Sequence, residues 1–218
     1  KTIHSSLRVV LVEPIYPVNL GQVARVMKNF GFQNLVLVNP GVKALREAVT
    51  YSAHAREVLD RAEIKHSLAE ALSDATLVIG STSKAGASGK NVLRSSVTPT
   101  EFAESLHNSS QHSVCALVFG RESTGLTNEE LDCCDMLVTI PASQEYRVLS
   151  LSHSVCILLY ELYQKNGESP RIGLPPLAGR KEKDRILIYF EEIMERINYR
   201  NHKRPIAVRV ARNLLGKS

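Results

Sequence analysis

The sequence predicts an α/β protein, with a mostly parallel sheet flanked by helices and a helical extension at the C-terminus. Three observations carry this. Short, largely apolar runs at residues 7–13, 35–38, 76–80, 114–119 and 136–140 have the length and boundaries of buried parallel strands. Stretches of helical periodicity lie between them, several opened by capping residues. Beyond residue 165, Gly and Pro accumulate (Gly167, Pro170, Pro175, Pro176, Gly179) before helical periodicity returns. At 218 residues, one α/β domain plus an appendage is the natural count. The expected layout is a domain over 1–165, a linker over 166–180 and a basic helical extension over 181–218.

In order, residues 1–6 are polar, 7–13 form a strand and 14–18 a rigid turn holding Pro14 and Pro17. Asn19 is placed to cap a helix whose Val23, Val26, Met27 and Phe30 share a face, with Gly31 closing it. This strand–loop–helix unit lacks G-x-G-x-x-G, which argues against a conventional dinucleotide fold. Residues 42–61 read as helical pieces of mixed charge, and Ser67 with Glu70 forms a capping box for a short helix. The strand at 76–80 empties into 81–91, a long basic loop of small residues, and loops of that length in compact domains tend to be functional. Thr98, Pro99 and Glu101 open the next helix.

After the strand at 114–119, Gly120 and Gly125 bracket a charged turn, and Thr127 with Glu130 makes another capping box. The strand at 136–140 is stopped by Pro141. A polar loop carrying Ser143, Gln144, Glu145, Tyr146 and Arg147 follows it. Residues 150–163 are apolar on nearly every face, so this helix is expected to be buried all round. Two polar loops thus leave adjacent buried strands at the edge where open α/β sheets bind ligands, although ordinary connections look the same. In the extension, Ile186, Phe190, Ile193 and Ile197 form one stripe, and Pro205 starts a last helix bearing Ile206, Val210 and Leu214. The stripe is expected to serve packing, and in a dimer it would be able to serve a partner surface as well.

Cys115 and Cys156 lie in apolar runs, and the adjacent Cys133 and Cys134 lack metal-ligand spacing, so no metal is expected. No disulfide framework is implied, and with no signal peptide and no run of eighteen apolar residues a cytoplasmic protein without a membrane span is expected. The net charge of +5 is unevenly placed: residues 196–218 carry seven Lys or Arg and no acid, which leaves −2 for the rest. A basic tail suits nucleic-acid contact, and a solvated helix end would carry the same charges.

The segment FGRESTGLTNEE, followed by a strand, Ile140-Pro141 and a leucine-rich helix, resembles the second and third motifs of the SpoU/TrmH class of SPOUT methyltransferases. Asn19-Leu20-Gly21-Gln22-Val23-Ala24-Arg25 resembles the first, N-x-G-x-x-x-R. The resemblance implies a trefoil-knotted domain that moves a methyl group from S-adenosylmethionine to a ribose 2′-hydroxyl of RNA and works as a homodimer. The helical extension is similar to the TrmJ branch, which acts on the tRNA anticodon loop at nucleotide 32; a ribosomal RNA substrate is the alternative. DNA is not implied.

By the same resemblance, Arg25 matches the catalytic arginine, supplied across the dimer, with Asn19 holding the loop around it and Glu122 as polar support. A guanidinium hardly ever loses its proton, so a phosphate clamp that orients the hydroxyl is a better role for Arg25 than a base. The cofactor loops map to Ser81, Thr82 and Ser83, to Gly120, and to Ile140 with Arg147, Val148 and Leu149. Lys84, Lys90, Arg94, Arg121, Lys203, Arg204, Arg209 and Arg212 are the expected RNA contacts beside Arg25. The third motif usually reads Ser-Leu-Asn, and here Val148-Leu149-Ser150 stands in its place, so backbone contacts to adenine survive while a serine hydroxyl is lost. A catalytically impaired RNA-binding protein of the same fold is therefore the second reading, and an unrelated nucleotide-dependent α/β enzyme the third.

Overall fold

The computed structural model describes residues 3–83, 96–107, 114–165 and 179–217. A short α1 (Ile3–Ser6) leads into β1 (Leu7–Val12), α2 (Pro17–Asn29), β2 (Asn34–Val38) and α3 (Val42–Tyr51). A 3-10 turn (Ala53–Ala55), α4 (Arg56–Asp60), β3 (Glu63–Lys65), α5 (Leu68–Leu72) and β4 (Leu77–Ser81) follow. The chain continues through β5 (Ser96–Val97), α6 (Pro99–His107), β6 (Cys115–Phe119), α7 (Asn128–Asp132), β7 (Met136–Val138) and α8 (Leu151–Gln164). The extension comprises α9 (Arg180–Arg196), a 3-10 turn (Asn201–Lys203) and α10 (Arg204–Lys217).

Seven strands form one sheet in the order β3-β2-β1-β6-β4-β7-β5, and every pairing is parallel. Alternate residues feed two cores. On one face Val9, Leu11, Leu35, Leu37, Ile79 and Leu117 meet Leu20, Val23 and Met27 of α2 and Leu158 and Leu159 of α8. Val10, Val36, Val78 and Val118 face the other way, against Ala71, Leu72 and Cys134. Burial on both faces explains why the strands read as unbroken apolar runs rather than as alternation. β7 lies between β4 and β5, two strands consecutive in the described chain, so the chain inserts a late strand between earlier ones.

Four expectations need correction. α2 starts at Pro17, with Tyr16 at the cap, so Asn19 sits in the first turn rather than capping it; proline's fixed φ and missing N–H suit the first helical position. The edge strands β3 and β5 went unread, because Glu63-Ile64-Lys65 is mostly polar and β5 has only two residues. α8 is not buried all round: Tyr160 and Tyr163 are exposed beside Phe30, the C-cap of α2, with ring centroids 5.9 and 5.6 Å from it. The isoleucine stripe of α9 faces outward, with Ile186, Ile193 and Ile197 all exposed. With half-buried Phe190, residues Ile206, Val210 and Leu214 instead line a groove of about 580 Å³ between α9 and α10.

α9 is turned this way because two of its cations reach inward. Arg180 (8% exposed) meets Asp135 (5%), Nη1 to Oδ1 at 3.4 Å, and the Lys183 Nζ (3%) donates to the Thr76 carbonyl at 3.1 Å. Asp135 Oδ2 also accepts the Val78 N–H at 2.9 Å. Thr76 and Asp135 immediately precede β4 and β7, so α9 is pinned at the amino ends of the strands, with Leu187 and Met194 buried alongside. Burial pushes the Asp135 carboxyl above its usual range, and Arg180 pulls it back. The linker expected before this helix lies, but for its last two residues, outside the described residues. Among those residues no helix is long and apolar enough to cross a membrane.

Breaking a buried ion pair strands the surviving charge, at a cost of about 3–5 kcal/mol. Arg180→Met should therefore lower the urea midpoint markedly, while Arg180→Met combined with Asp135→Asn should recover most of the loss, because the amide oxygen still accepts from Val78. Equal midpoints for the single and double variants would refute the buried-charge account.

Candidate active site

The carboxyl ends of the central strands β1, β6, β4 and β7 share one edge, and the strand order turns between β1 and β6, where open sheets form a ligand crevice. At that point Arg121, just past β6, bridges two carboxylates. Its Nε and Nη2 donate to both Glu13 oxygens at 2.8 Å, and Nη1 donates to Glu130 at 3.0–3.1 Å. Glu13, just past β1, has φ of +47°, a strained left-handed conformation held by its N–H donating to Val38 O at 2.8 Å. Glu130 completes the capping box of α7 with Thr127. Arg121 was expected to meet RNA; here both carboxylates already match its charge, and it ties β1 to α7. Gly120 and Gly125 close the turn: a Cβ on Gly120 would lie 2.1 Å from the Gly125 carbonyl carbon, and the Arg121 and Gly125 backbones exchange hydrogen bonds of 3.2 and 2.9 Å.

Next to it, Glu122 supplies what the start of α2 lacks. No side chain of its own caps that helix, and the Glu122 carboxylate accepts the N–H groups of Ile15 and Tyr16, both at 3.3 Å, and the Asn19 amide at 3.4 Å. A carboxylate also suits the positive end of the helix dipole. The Asn19 oxygen faces the Ser152 hydroxyl at 3.4 Å, and that hydroxyl donates to Gln22 Oε1 at 2.8 Å. Residues expected on separate motifs thus form one network. The glycine of the first motif has a packing reason: a Cβ on Gly21 would lie 2.6 Å from both Ala48 O and Tyr51 Cβ of α3. Arg25 is exposed on α2, and no hydrogen bond or ion pair to it occurs among the described residues.

The three expected cofactor loops leave adjacent strands. Ser81 ends β4 and Thr82 and Ser83 follow it, Gly120 follows β6, and Ile140 and residues 147–149 follow β7. Thr82 N–H donates to Val138 O at 3.0 Å, which ties the first loop to the end of β7. Ile140 packs on the core, while Val148 is 56% exposed and Leu149 half-buried. Ser150 caps α8, accepting the His153 N–H at 3.3 Å. The Thr139 hydroxyl is buried without a partner at this edge, and the backbone of residues 147–149 makes no hydrogen bond among the described residues. A buried hydroxyl without a protein partner, beside accessible loop backbone and the half-buried Ile140 and Leu149, fits a nucleoside held largely through backbone.

Lys84, Lys90 and Arg94 lie outside the described residues. Lys203 is exposed and lines the groove between α9 and α10. Arg204 pairs with Glu195 at 3.2 Å, Arg209 with Asp132 at 3.2 Å and Arg212 with Asp184 at 3.7 Å. Sequence reasoning missed Glu13, Gln22, Glu130 as an ion-pair partner, Thr139 and Ser152. Only Gln22 carried a readable signal, lying midway in the i, i+3 row from Asn19 to Arg25.

Fold and strand-end loops together define a parallel α/β enzyme with a ligand-type crevice at the carboxyl ends of its central strands. The chain belongs to the SpoU rRNA Methylase family, whose model matches residues 6–160. It is 36% identical over 214 residues to the tRNA (cytidine-2'-O-)-methyltransferase TrmJ of Methanocaldococcus jannaschii, covering 97% of this chain and 92% of that protein. It is 41% identical over 157 residues to the tRNA (cytidine/uridine-2'-O-)-methyltransferase TrmJ of Yersinia pestis, covering 72% of this chain and 60% of the relative's length. Among solved structures, TrmJ from Z. mobilis ZM4 superposes with a TM-score of 0.76 at 26% identity, covering 96% of this chain and 89% of that one.

The Arg121 hydrogen bonds hold the Glu13 carboxyl below the usual carboxylate range, against a smaller opposing effect of burial. A depressed folded pKa gives stability that is complete above the unfolded value, about pH 4.3, and is lost as pH falls through the folded value. Thermal melts between about pH 6 and about pH 3 should show this loss, and Glu13→Gln should flatten it. Identical pH profiles for the two proteins would count against the Glu13–Arg121 bridge.

Proposed function

We propose that the protein transfers a methyl group from S-adenosylmethionine to a ribose 2′-hydroxyl of tRNA, at a cytidine or uridine in the anticodon loop (nucleotide 32), as a homodimer. The observation that carries this reading is the convergence of the three family motifs on one strand-end edge, where Glu122, Asn19 and Ser152 join them. The names of the archaeal and Yersinia relatives support tRNA over ribosomal RNA.

The cofactor supplies an electrophilic methyl on a sulfonium. Residues 81–83, 120, 140 and 147–149 hold its adenosine, largely through backbone, and the Thr139 hydroxyl offers a donor or acceptor beside them. Arg25 clamps the phosphate next to the target ribose and aligns the 2′-hydroxyl on the methyl. Positioning of this kind supplies about 7–11 kcal/mol in favourable cases. Glu122 and Asn19 keep the helix bearing Arg25 in place, and Arg121 fixes the turn that carries Glu122. Tyr160 and Tyr163, exposed beside half-buried Phe30, give α2 and α8 an apolar outer face suited to a second copy, which would bring Arg25 to the partner's cofactor. Lys84, Lys90, Arg94 and the tail residues Lys203, Arg204, Arg209 and Arg212 add backbone contacts to RNA.

Arg25→Ala should fold and bind S-adenosylmethionine as the wild type does, yet lose about 100-fold or more in methyl transfer at saturating tRNA. Arg25→Lys keeps the charge without the planar fork and should restore little. Tritiated-methyl transfer to bulk tRNA measures both, and near-wild-type turnover in Arg25→Ala would remove the arginine from the mechanism.

Lys203→Ala leaves the ion pairs of the extension intact. It should weaken tRNA binding evenly across tRNAs and reduce the slope of log affinity against log salt by about one, without altering cofactor affinity. An unchanged slope in filter-binding titrations would exclude a phosphate contact at this residue.

A further inference from the structure

α2 presents a polar row at three-residue spacing, Asn19, Gln22 and Arg25, in which each residue neighbours the next on the helix surface. The three differ in what holds them. Asn19 is held by Glu122 from the turn after β6. Gln22 is held by Ser152 from the first turn of α8 at 2.8 Å. Arg25 has no partner among the described residues. Ser152 is 4% exposed, so its hydroxyl is a buried donor, and its single proton goes to the nearer acceptor, Gln22, rather than to Asn19 at 3.4 Å. Residues 147–149 run directly into this turn through Ser150, whose hydroxyl lies 3.3 Å from that of Ser152.

We propose that Ser152 and Gln22 are positioning residues that couple occupancy of the 147–149 loop to the placement of Arg25; this rests on the ribose methyl-transfer reading for its catalytic consequence. A nucleoside settling on residues 147–149 fixes Ser150 and the first turn of α8. Ser152 transmits that position through its hydrogen bond to Gln22, one helical step from Arg25. The guanidinium is thus set for the target phosphate at the partner's site when this chain's own cofactor is bound. The Ser152–Gln22 bond is the shorter of the two bridges from α8 to this row.

The acceptor on residue 22 makes the test specific. Gln22→Glu keeps an oxygen for the Ser152 hydroxyl, whereas Gln22→Met keeps length and removes the acceptor. Methyl transfer by Gln22→Met should fall about tenfold in kcat with the cofactor KM unchanged, as expected for a misplaced reacting group, and Gln22→Glu should recover most of it. Independently of turnover, S-adenosylhomocysteine should slow hydrogen exchange of the α2 amides in the wild type and Gln22→Glu, and leave them unaltered in Gln22→Met. A wild-type protein that shows the α2 response but transfers no methyl group would keep the coupling and reject the methyl-transfer reading. An α2 response in Gln22→Met equal to that of the wild type, or its absence from the wild type, would overturn the coupling itself.

Discussion

The carboxylate of Glu122 at the start of α2 is the contact on which the site depends. A helix that begins at Pro17 leaves backbone donors open at its first turn, and no nearby side chain closes them. Glu122, more than a hundred residues away, accepts the N–H groups of Ile15 and Tyr16 just before that turn, and in doing so fixes the helix of the first motif against the turn of the second. That turn stays rigid because Arg121 is gripped by Glu13 and Glu130 and because glycine alone fits at position 120. One glutamate therefore satisfies two needs, capping a helix and registering two strand ends.

The packing beneath explains why this edge can hold such a network. Every strand pairing is parallel, and both faces of the sheet are covered, so the strand ends are firmly placed. Gly21 lets α2 and α3 approach closely, which fixes the helix along its length as well as at its start. The resulting frame is polar only where loops emerge, which is the division expected when scaffold and chemistry occupy different parts of an α/β fold.

The sheet's five main strands, the capping boxes at Thr98 and Thr127, and the three motifs were legible because each rests on local pattern. What stayed hidden involved partners distant in sequence. Glu122 was readable as a nearby carboxylate but not as the cap of α2, and Arg121 was indistinguishable from a free cation until Glu13 and Glu130 were seen beside it. The α9 stripe misled for a related reason. Periodicity marks Ile186 and Ile193 as an inner face, whereas Arg180 and Lys183 find acceptors in the sheet edge and turn that face outward. A 3.6-residue pattern cannot weigh a buried cation that has a waiting carbonyl.

The inward anchoring of α9 has a geometric consequence for the two ends of the sheet. Arg180 and Lys183 grip the amino ends of β4 and β7, while the cofactor loops leave the carboxyl ends of the same strands. A five-residue strand spans about 17 Å, so the anchor and the strand-end loops are separated by roughly the length of a strand. Anything that touched both the outer side of α9 and the strand-end loops would thus have to extend about the length of a strand.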